Sequence, residues 1–245
     1  MPLEKVRIPR GDTTLGGVLA APPGRGPFPG VIVIPTIKAL DEFAADVVER
    51  LAAESFVALG VDIFDHPGIP ADPFKRPGCQ PDEQVLGDLN AALAALRKHP
   101  LVGDRPLFAW GYCLGGRFAL LWPTYQAELA GAASFHGFPT NDTTNPNTPT
   151  QPLSRVAHLR TPVIACFGEA DRLVPMKDVH AYRNELEAQG KIFEVHTYPG
   201  ADHGWTNAKG PAYRREAADD CWRRTLEFLR RHATTKTKPA TAAVG

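Results

Sequence analysis

The sequence lacks an excess of charge of either sign. Its 245 residues include 27 Lys and Arg against 27 Asp and Glu, so the formal net charge is zero. Nucleic-acid-binding domains usually carry a basic stripe, and proteins that bind membrane surfaces usually carry a polybasic segment. We therefore expect neither a nucleic acid nor a membrane as a partner.

Long hydrophobic runs and paired cysteine motifs are also missing. No apolar run approaches the ~20 residues of a membrane-spanning helix, and the opening MPLEKVRIPRGDTT does not resemble a signal peptide. The four cysteines, at positions 79, 113, 166 and 221, form no CxxC pair and no zinc-site spacing with histidine. These absences predict a soluble cytoplasmic protein with mostly free thiols and no metal.

What the chain does contain is an alternation of short apolar runs with helical patterns. Continuous apolar segments such as Val31–Ile34 and Pro162–Cys166 are typical of strands that are covered on both faces. Strands are predicted near 4–8, 15–21, 31–35, 56–63, 106–110, 131–136, 162–167 and 192–198. Helices are predicted near 41–54, 82–98, 115–125, 178–189 and 211–231, with Asp41 and Asp82 as the N-caps of the first two. This order predicts an α/β fold, a three-layer α/β/α sandwich with a mostly parallel sheet of about eight strands.

The chain shows no internal domain boundary, so residues 1–232 are expected to form one domain. Residues 139–154, PTNDTTNPNTPTQPLS, are polar and proline-rich without periodicity. Such a segment is a long surface loop or a lid over a site. The small polar tail, 233–245, is predicted to be disordered.

The strongest local signal is Gly111-Tyr-Cys113-Leu-Gly115-Gly116, which lies between a predicted strand and a predicted helix. A nucleophile at such a sharp turn has strained backbone angles, and its neighbours two residues away must be small. The N-terminus of the following helix lowers a thiol pKa and offers N–H groups to developing negative charge. Although a lone cysteine is more often a buried structural residue, this setting favours Cys113 as a nucleophile.

A cysteine nucleophile needs a base, and the base needs an orienting group. His203 lies in a glycine-flanked loop after the strand predicted near 192–198, and Asp171 follows the strand near 162–167. Glu169 is a rival for the orienting role because it lies nearer the strand end. Asp202 is a weaker rival, since side chains adjacent in sequence diverge.

The order nucleophile, acid, histidine is the chain order of the α/β-hydrolase fold. Each of the three residues follows a predicted strand, at the edge where open α/β sheets place their sites. The three residues together therefore predict a catalytic triad.

These motifs resemble the dienelactone hydrolase family, and the resemblance covers about residues 28–232. It rests on the cysteine motif above, on Gly168-Glu-Ala-Asp171 with Val174-Pro175, and on Ala201-Asp-His-Gly-Trp205. The resemblance implies an α/β-hydrolase fold and a Cys113–His203–Asp171 triad that acts on an ester or lactone. It also implies an oxyanion hole formed by the backbone N–H groups of Leu114 and Ile37.

The sequence departs from the family pattern in two places. Where the family carries a glutamate that hydrogen-bonds the resting cysteine, this chain has Thr36, so thiol activation is expected to differ. Where the family carries a carboxylate-binding arginine after the histidine, the chain has Trp205-Thr-Asn207, which argues against dienelactone itself as the substrate. Arg76 is the candidate for the second such arginine.

We therefore predict a cofactor-free hydrolase of a small ester or lactone that acts through an acyl-enzyme, as a monomer or small homo-oligomer. Further substrate contacts are assigned to residues at predicted strand ends, although packing or solvation explains them equally well: Lys38, His136, Phe138 and Trp205. The alternatives are a thioesterase or acyltransferase with the same triad, or a non-catalytic ligand-binding homologue. Comparing the turnover of matched ester, thioester and lactone analogues distinguishes the catalytic alternatives from one another.

Overall fold

The computed structural model describes residues 2–233. The strands are β1 (Glu4–Arg10), β2 (Thr13–Ala20), β3 (Gly30–Ile34), β4 (Val57–Val61), β5 (Leu107–Tyr112), β6 (Leu129–Phe135), β7 (Val163–Gly168) and β8 (Phe193–Tyr198). They form one sheet in the order β1-β2-β4-β3-β5-β6-β7-β8. The pairs β1–β2 and β2–β4 are antiparallel, whereas all other neighbouring pairs are parallel.

Helices cover both faces of this sheet. They are α1 (Glu42–Ala53), α2 (Asp82–Arg97), α3 (Leu114–Leu121), α4 (Met176–Ala188) and α5 (Arg215–Ala233), with 3-10 turns at Pro73–Lys75, Trp122–Thr124 and Pro152–His158. Buried side chains of α1 and α5 form one apolar core with one face of the strands, and those of α2, α3 and α4 form the second core on the other face. The three-layer fold predicted from the sequence is confirmed.

All eight strands and five helices occur near the predicted positions, and the differences lie at the helix ends. Helix α3 ends at Leu121 rather than near 125, because Pro123 has no N–H and its ring clashes with an α-helical backbone. Helix α5 starts at Arg215 rather than near 211, because Arg214 N–H donates to Trp205 O at 3.0 Å and holds the preceding turn.

The two predicted helix caps have different outcomes. Asp41 is the N-cap of α1, as predicted, and its carboxylate accepts a hydrogen bond from Ala44 N at 3.1 Å. The prediction for Asp82 is wrong, because Pro81 is the N-cap and Asp82 is the first residue of α2. Its carboxylate turns inward instead and pairs with Arg117.

Only the first residue of the predicted C-terminal tail lies within the described residues. Ala233, the first residue of the predicted tail, is the last residue of α5, and 234–245 lie outside the described residues. No helix within 2–233 combines the length and apolarity needed to cross a membrane.

Candidate active site

Cys113 lies at the turn between β5 and α3, at the carboxyl end of a central strand. Its φ of 55° and ψ of −118° are a conformation that residues with a side chain rarely adopt. The turn is held by backbone hydrogen bonds, since Cys113 N–H donates to Phe135 O and Arg117 N–H donates to Cys113 O, both at 3.0 Å. The thiol therefore projects from a strained turn at the edge of the sheet.

The glycines around Cys113 are required by the packing of this turn. A Cβ atom at Gly111 would lie 2.0 Å from the Gly115 carbonyl oxygen, and one at Gly115 would lie 2.2 Å from the Ile34 carbonyl oxygen. A Cβ at Gly116 would lie 2.8 Å from Gly137 Cα. Each distance is shorter than a van der Waals contact, so any side chain at these three positions would clash with the neighbouring backbone. This explains why the motif Gly-x-Cys-x-Gly-Gly has glycine at these positions.

His203 and Asp171 meet beside this turn. The Nδ1 atom of His203 donates to Asp171 Oδ2 at 2.8 Å. The other oxygen of Asp171 accepts from Leu173 N at 2.8 Å and Val174 N at 3.1 Å, which fixes the orientation of the buried carboxylate.

Neither rival carboxylate bonds the imidazole ring of His203. Glu169 accepts from the Thr197 hydroxyl at 2.8 Å. Asp202 accepts from the backbone N–H of His203 and pairs with Arg172. The ring is therefore oriented by Asp171 rather than by Glu169 or Asp202.

The environment of His203 favours its protonated form. Burial alone would lower the pKa of the ring, but the hydrogen bond to Asp171 and the interactions with Cys113 together raise the pKa to about 10. Within residues 2–233, no hydrogen bond of ordinary geometry links Nε2 to another residue. The thiol and the ring line the same cavity.

Leu114 and Ile37, whose backbone N–H groups are the predicted oxyanion donors, both belong to turns beside the cavity. Leu114 is the first residue of α3, where an N–H group has no acceptor within its helix. Ile37 follows β3 in a turn in which Ala39 N–H donates to Thr36 O, and both Leu114 and Ile37 line the same cavity as Cys113.

Thr36 occupies the place of the family glutamate but binds elsewhere. Its hydroxyl oxygen accepts a hydrogen bond from Lys38 N at 3.2 Å. Within the part of the chain described, no hydrogen bond joins Thr36 to Cys113. Within the described residues, the hydrogen bond that the family pattern implies for the resting thiol is therefore not made by the residue at this position.

A cavity of about 490 Å³ opens beside Cys113 and His203. Most of its lining is apolar and comes from several segments, among them the loop after β4, the start of α3, the loop after β6 and the turn after β7. The loop after β6 contains the predicted loop or lid, 139–154, of which Asn141, Asp142, Asn145 and Thr148 line the cavity. This loop forms one wall of the site.

The five weaker substrate-binding predictions separate into two groups. Arg76 and Phe138 line the cavity, and the Phe138 ring lies 5.7 Å from the ring of His203. Lys38 is exposed and lies outside the lining, and Trp205 is fully buried against Tyr198. His136 is buried and packs edge-on against His203 with 4.7 Å between the ring centres.

His136 is neutral in this environment. Burial and the neighbouring His203 both lower the pKa of its ring well below the usual value. Its Nε2 atom lies 3.1 Å from the Thr206 hydroxyl. His136 therefore supports the ring of His203 by packing against it.

Sequence reasoning missed a buried ion pair next to the site. Arg117, on the helix that follows Cys113, binds both oxygens of Asp82 at 2.7 and 2.8 Å. It also donates to Asn141 Oδ1 at 3.0 Å and to Thr150 O at 2.6 Å, both in the loop 139–154. A charged residue within an otherwise apolar helix was the available signal, because a buried charge needs a partner.

The sheet order, the turn after β5, the acid after β7 and the histidine after β8 together define an α/β-hydrolase. Within that class, the chain belongs to the dienelactone hydrolase family, whose family model matches residues 15–233. The resemblance read from the sequence is thereby confirmed. The protein is a carboxylic ester hydrolase of this family.

Known relatives of this family are similar along most of the chain. A "Putative carboxymethylenebutenolidase" of Escherichia coli O157:H7 is 31% identical over 219 residues, which are 86% of this chain and 80% of the relative. A "Probable 2-oxo-3-(5-oxofuran-2-ylidene)propanoate lactonase" of Bradyrhizobium is 32% identical over 224 residues, or 89% and 90% of the two chains. The crystal structure of a "Putative Dienelactone Hydrolase" of Klebsiella pneumoniae superposes with a TM-score of 0.88 at 28% identity, covering 94% of this chain and 98% of that one.

Proposed function

We propose that the protein hydrolyses a small ester or lactone through a covalent thioester on Cys113. The observation that supports this most strongly is the placement of Cys113 at the strained turn, with the Asp171–His203 pair beside it. A nucleophile, a base and an orienting carboxylate in this relation are the requirements of covalent acyl transfer.

In the reactive form, Cys113 has already given its proton to Nε2 of His203, and the carboxylate of Asp171 stabilises the resulting imidazolium. The thiolate attacks the acyl carbon, and the carbonyl oxygen becomes an oxyanion. The N–H groups of Leu114 and Ile37 stabilise that charge, an effect worth about 3 kcal/mol for one donor in comparable sites.

The tetrahedral intermediate then collapses and releases the alcohol. The C–O bond to the leaving group breaks, and the His203 imidazolium gives its proton to the departing alkoxide. Water attacks the thioester, with neutral His203 accepting its proton, and the carboxylic acid leaves as Cys113 regains its proton. Every step uses side chains and backbone groups of this chain.

The first test replaces Cys113 with alanine. Because the thiolate is the attacking group, Cys113→Ala should reduce kcat for 4-nitrophenyl acetate at least about 1,000-fold. Cys79→Ala is the matched control, since Cys79 is half-buried and does not line the cavity. Undiminished hydrolysis by Cys113→Ala would show that the nucleophile is another group.

A labelling experiment tests the same assignment independently. Iodoacetamide should alkylate Cys113 in parallel with the loss of activity, and a bound substrate analogue should protect this residue in peptide mass spectrometry. Inactivation that tracks label on Cys79 or Cys221 would place the site elsewhere. Matched ester, thioester and lactone substrates then distinguish an esterase from a thioesterase, and acceleration by an added alcohol would indicate an acyltransferase.

The location and assembly of the protein are proposed from the sequence. We expect a cytoplasmic enzyme that is a monomer or a small homo-oligomer, with a small-molecule substrate. Cell fractionation and light scattering on a size-exclusion column measure these properties directly.

A further inference from the structure

The inner part of the active-site cavity is strongly apolar. Its lining includes the side chains of Ile63, Phe64, Val85 and Phe118, all of which are buried. Apolar walls of this kind favour a hydrocarbon group over water or a charged group. The part of a substrate that lies against these residues is therefore a hydrocarbon.

The outer part of the cavity is apolar as well. Phe74 is 80% exposed and Leu173 is 60% exposed, and both line the cavity. They belong to different segments, the 3-10 turn Pro73–Lys75 and the turn after β7. Large apolar side chains that meet at the mouth of a site extend its hydrophobic surface towards solvent. A substrate chain can therefore keep apolar contact from the thiol to the mouth.

The two arginines of the lining have other partners. Arg117 is bound to both oxygens of Asp82, so its charge is neutralised within a buried pair. Arg76 donates through Nε to Pro70 O at 3.0 Å, through Nη1 to Ile37 O at 2.9 Å and through Nη2 to Ala71 O at 3.5 Å. The charge of Arg117 is therefore neutralised, and three N–H groups of Arg76 are directed at backbone carbonyls, which leaves fewer of its donors for a ligand.

The remaining charged residues of the lining do not favour an anion. His203 is paired with Asp171, and Asp142 on the loop 139–154 carries a negative charge, because hydrogen bonds from Thr144 lower its carboxyl pKa. A substrate carboxylate in this cavity would lose its hydration, would compete with backbone carbonyls for the donors of Arg76, and would share the cavity with the negatively charged Asp142.

We propose that the natural substrate is a neutral ester or lactone with an extended apolar chain, which runs along the inner wall to the mouth between Phe74 and Leu173. This inference rests on the proposed function, since it names the substrate class of the Cys113 site. It assigns to Phe74 and Leu173 the recognition of the distal part of the chain.

A matched pair of substrates tests the charge preference. 4-Nitrophenyl hexanoate and mono-4-nitrophenyl adipate have acyl chains of six carbons and differ in the terminal group, a methyl or a carboxylate. We expect kcat/KM for the hexanoate to be at least tenfold higher than for the adipate monoester, and about tenfold higher than for the acetate. Equal or faster turnover of the adipate monoester would overturn the proposal.

Variants at the mouth test where the chain lies. Phe74→Ala should lower kcat/KM for the hexanoate about fivefold to tenfold and leave the acetate unchanged. Ile192→Ala is the matched control, because Ile192 is 65% exposed and lies outside the cavity. If Phe74→Ala leaves kcat/KM unchanged for both esters, or lowers it equally for both, the acyl chain does not reach the mouth of the cavity and the proposal fails.

A gain of function gives the converse test. Leu173→Lys adds a cation at the mouth and should raise the adipate-to-hexanoate ratio at least tenfold, whereas Ile192→Lys should not change it. An adipate-to-hexanoate ratio that does not change in Leu173→Lys would contradict the proposed path of the acyl chain.

Failure of the proposed Cys113 mechanism gives a different result from failure of this inference. If Cys113 is not the nucleophile, Cys113→Ala will still hydrolyse the acetate, the hexanoate and the adipate monoester, whichever of them is preferred.

Discussion

Cys113 and His136 have positive φ angles of 55° and 40°, although neither is glycine. Each is held by a backbone hydrogen bond to a neighbouring strand, from Cys113 N–H to Phe135 O at 3.0 Å and from His136 N–H to Cys166 O at 2.8 Å. Such conformations cost about 1–3 kcal/mol each and persist where the surrounding structure enforces them. The sheet therefore holds in place both the proposed nucleophile and the ring that packs on its base.

The Asp171 carboxylate should be required for catalysis but not for substrate binding. Asp171→Asn removes the negative charge that raises the pKa of His203, so we expect kcat to fall about 100- to 10,000-fold with little change in KM. The alkaline limit of the kcat profile should move to lower pH. Glu169→Gln is the control, since Glu169 accepts a hydrogen bond from Thr197 instead. A loss of similar size in Glu169→Gln would show that Asp171 is not the group that orients His203.

Arg76 is expected to act as a positioning residue. Its hydrogen bond holds the carbonyl of Ile37, whose N–H is a proposed oxyanion donor. Arg76→Gln should therefore lower kcat about 10- to 100-fold for neutral and carboxylated esters alike, with KM nearly unchanged.

The neighbouring exposed residue provides the control for that variant. Lys75→Gln should leave both kinetic constants unchanged, because Lys75 is exposed and does not line the cavity. A loss in Arg76→Gln that is confined to KM of the carboxylated ester would instead support the carboxylate-binding role that the sequence suggested.

At the scale of elements, the loop 139–154 is organised by its own hydrogen bonds and by the neighbouring helices. Leu153 N–H donates to Pro139 O at 2.9 Å and closes the base of the loop, and Asn141 Nδ2 donates to Thr148 O at 2.9 Å across it. Asn147 Nδ2 donates to Gly78 O at 3.0 Å, which joins this loop to the opposite wall of the cavity. The two walls therefore support each other.

The Asp82–Arg117 pair fastens α2, α3 and this loop together. Both side chains are less than 10% exposed, so Asp82→Asn leaves a buried guanidinium without its counter-charge. We expect the free energy of unfolding in urea to fall by about 3–5 kcal/mol.

The double variant Asp82→Leu/Arg117→Met provides the comparison for that measurement. It should recover part of the stability, because an apolar pair of similar volume leaves no buried charge. Equal stability of Asp82→Asn and the unaltered protein would show that the pair does not hold this region together.

At the scale of the whole molecule, parallel strands place residues that are distant in sequence at one edge. The turns after β3, β5, β7 and β8 carry Ile37, Cys113, Asp171 and His203, which all meet at the carboxyl ends of the strands. An open α/β sheet forms its site at this edge, where the connections leave the sheet. The formal net charge of zero suits a site whose local polarity, rather than an overall field, selects its ligand.

Much of the fold and the core of the site could be predicted from the sequence, because both depend on local pattern. Continuous apolar runs mark strands that are buried on both faces, and Gly111 and Gly115 mark a turn that a Cβ atom would block. The cap at Asp82 could not be predicted correctly. A carboxylate at a helix start looks the same in sequence whether it caps the helix or pairs with a distant arginine such as Arg117.

By itself, the sequence determined the class of fold, the family and the candidate site residues after each strand, since strand periodicity and steric demands at a tight turn are local properties. Only the tertiary structure decided which carboxylate meets His203, which groups the donors of Arg76 and Arg117 bind, and that Phe74 and Leu173 line the same cavity. These are contacts between segments far apart in the chain. Their distances depend on how the loops pack over the sheet, which no local pattern encodes.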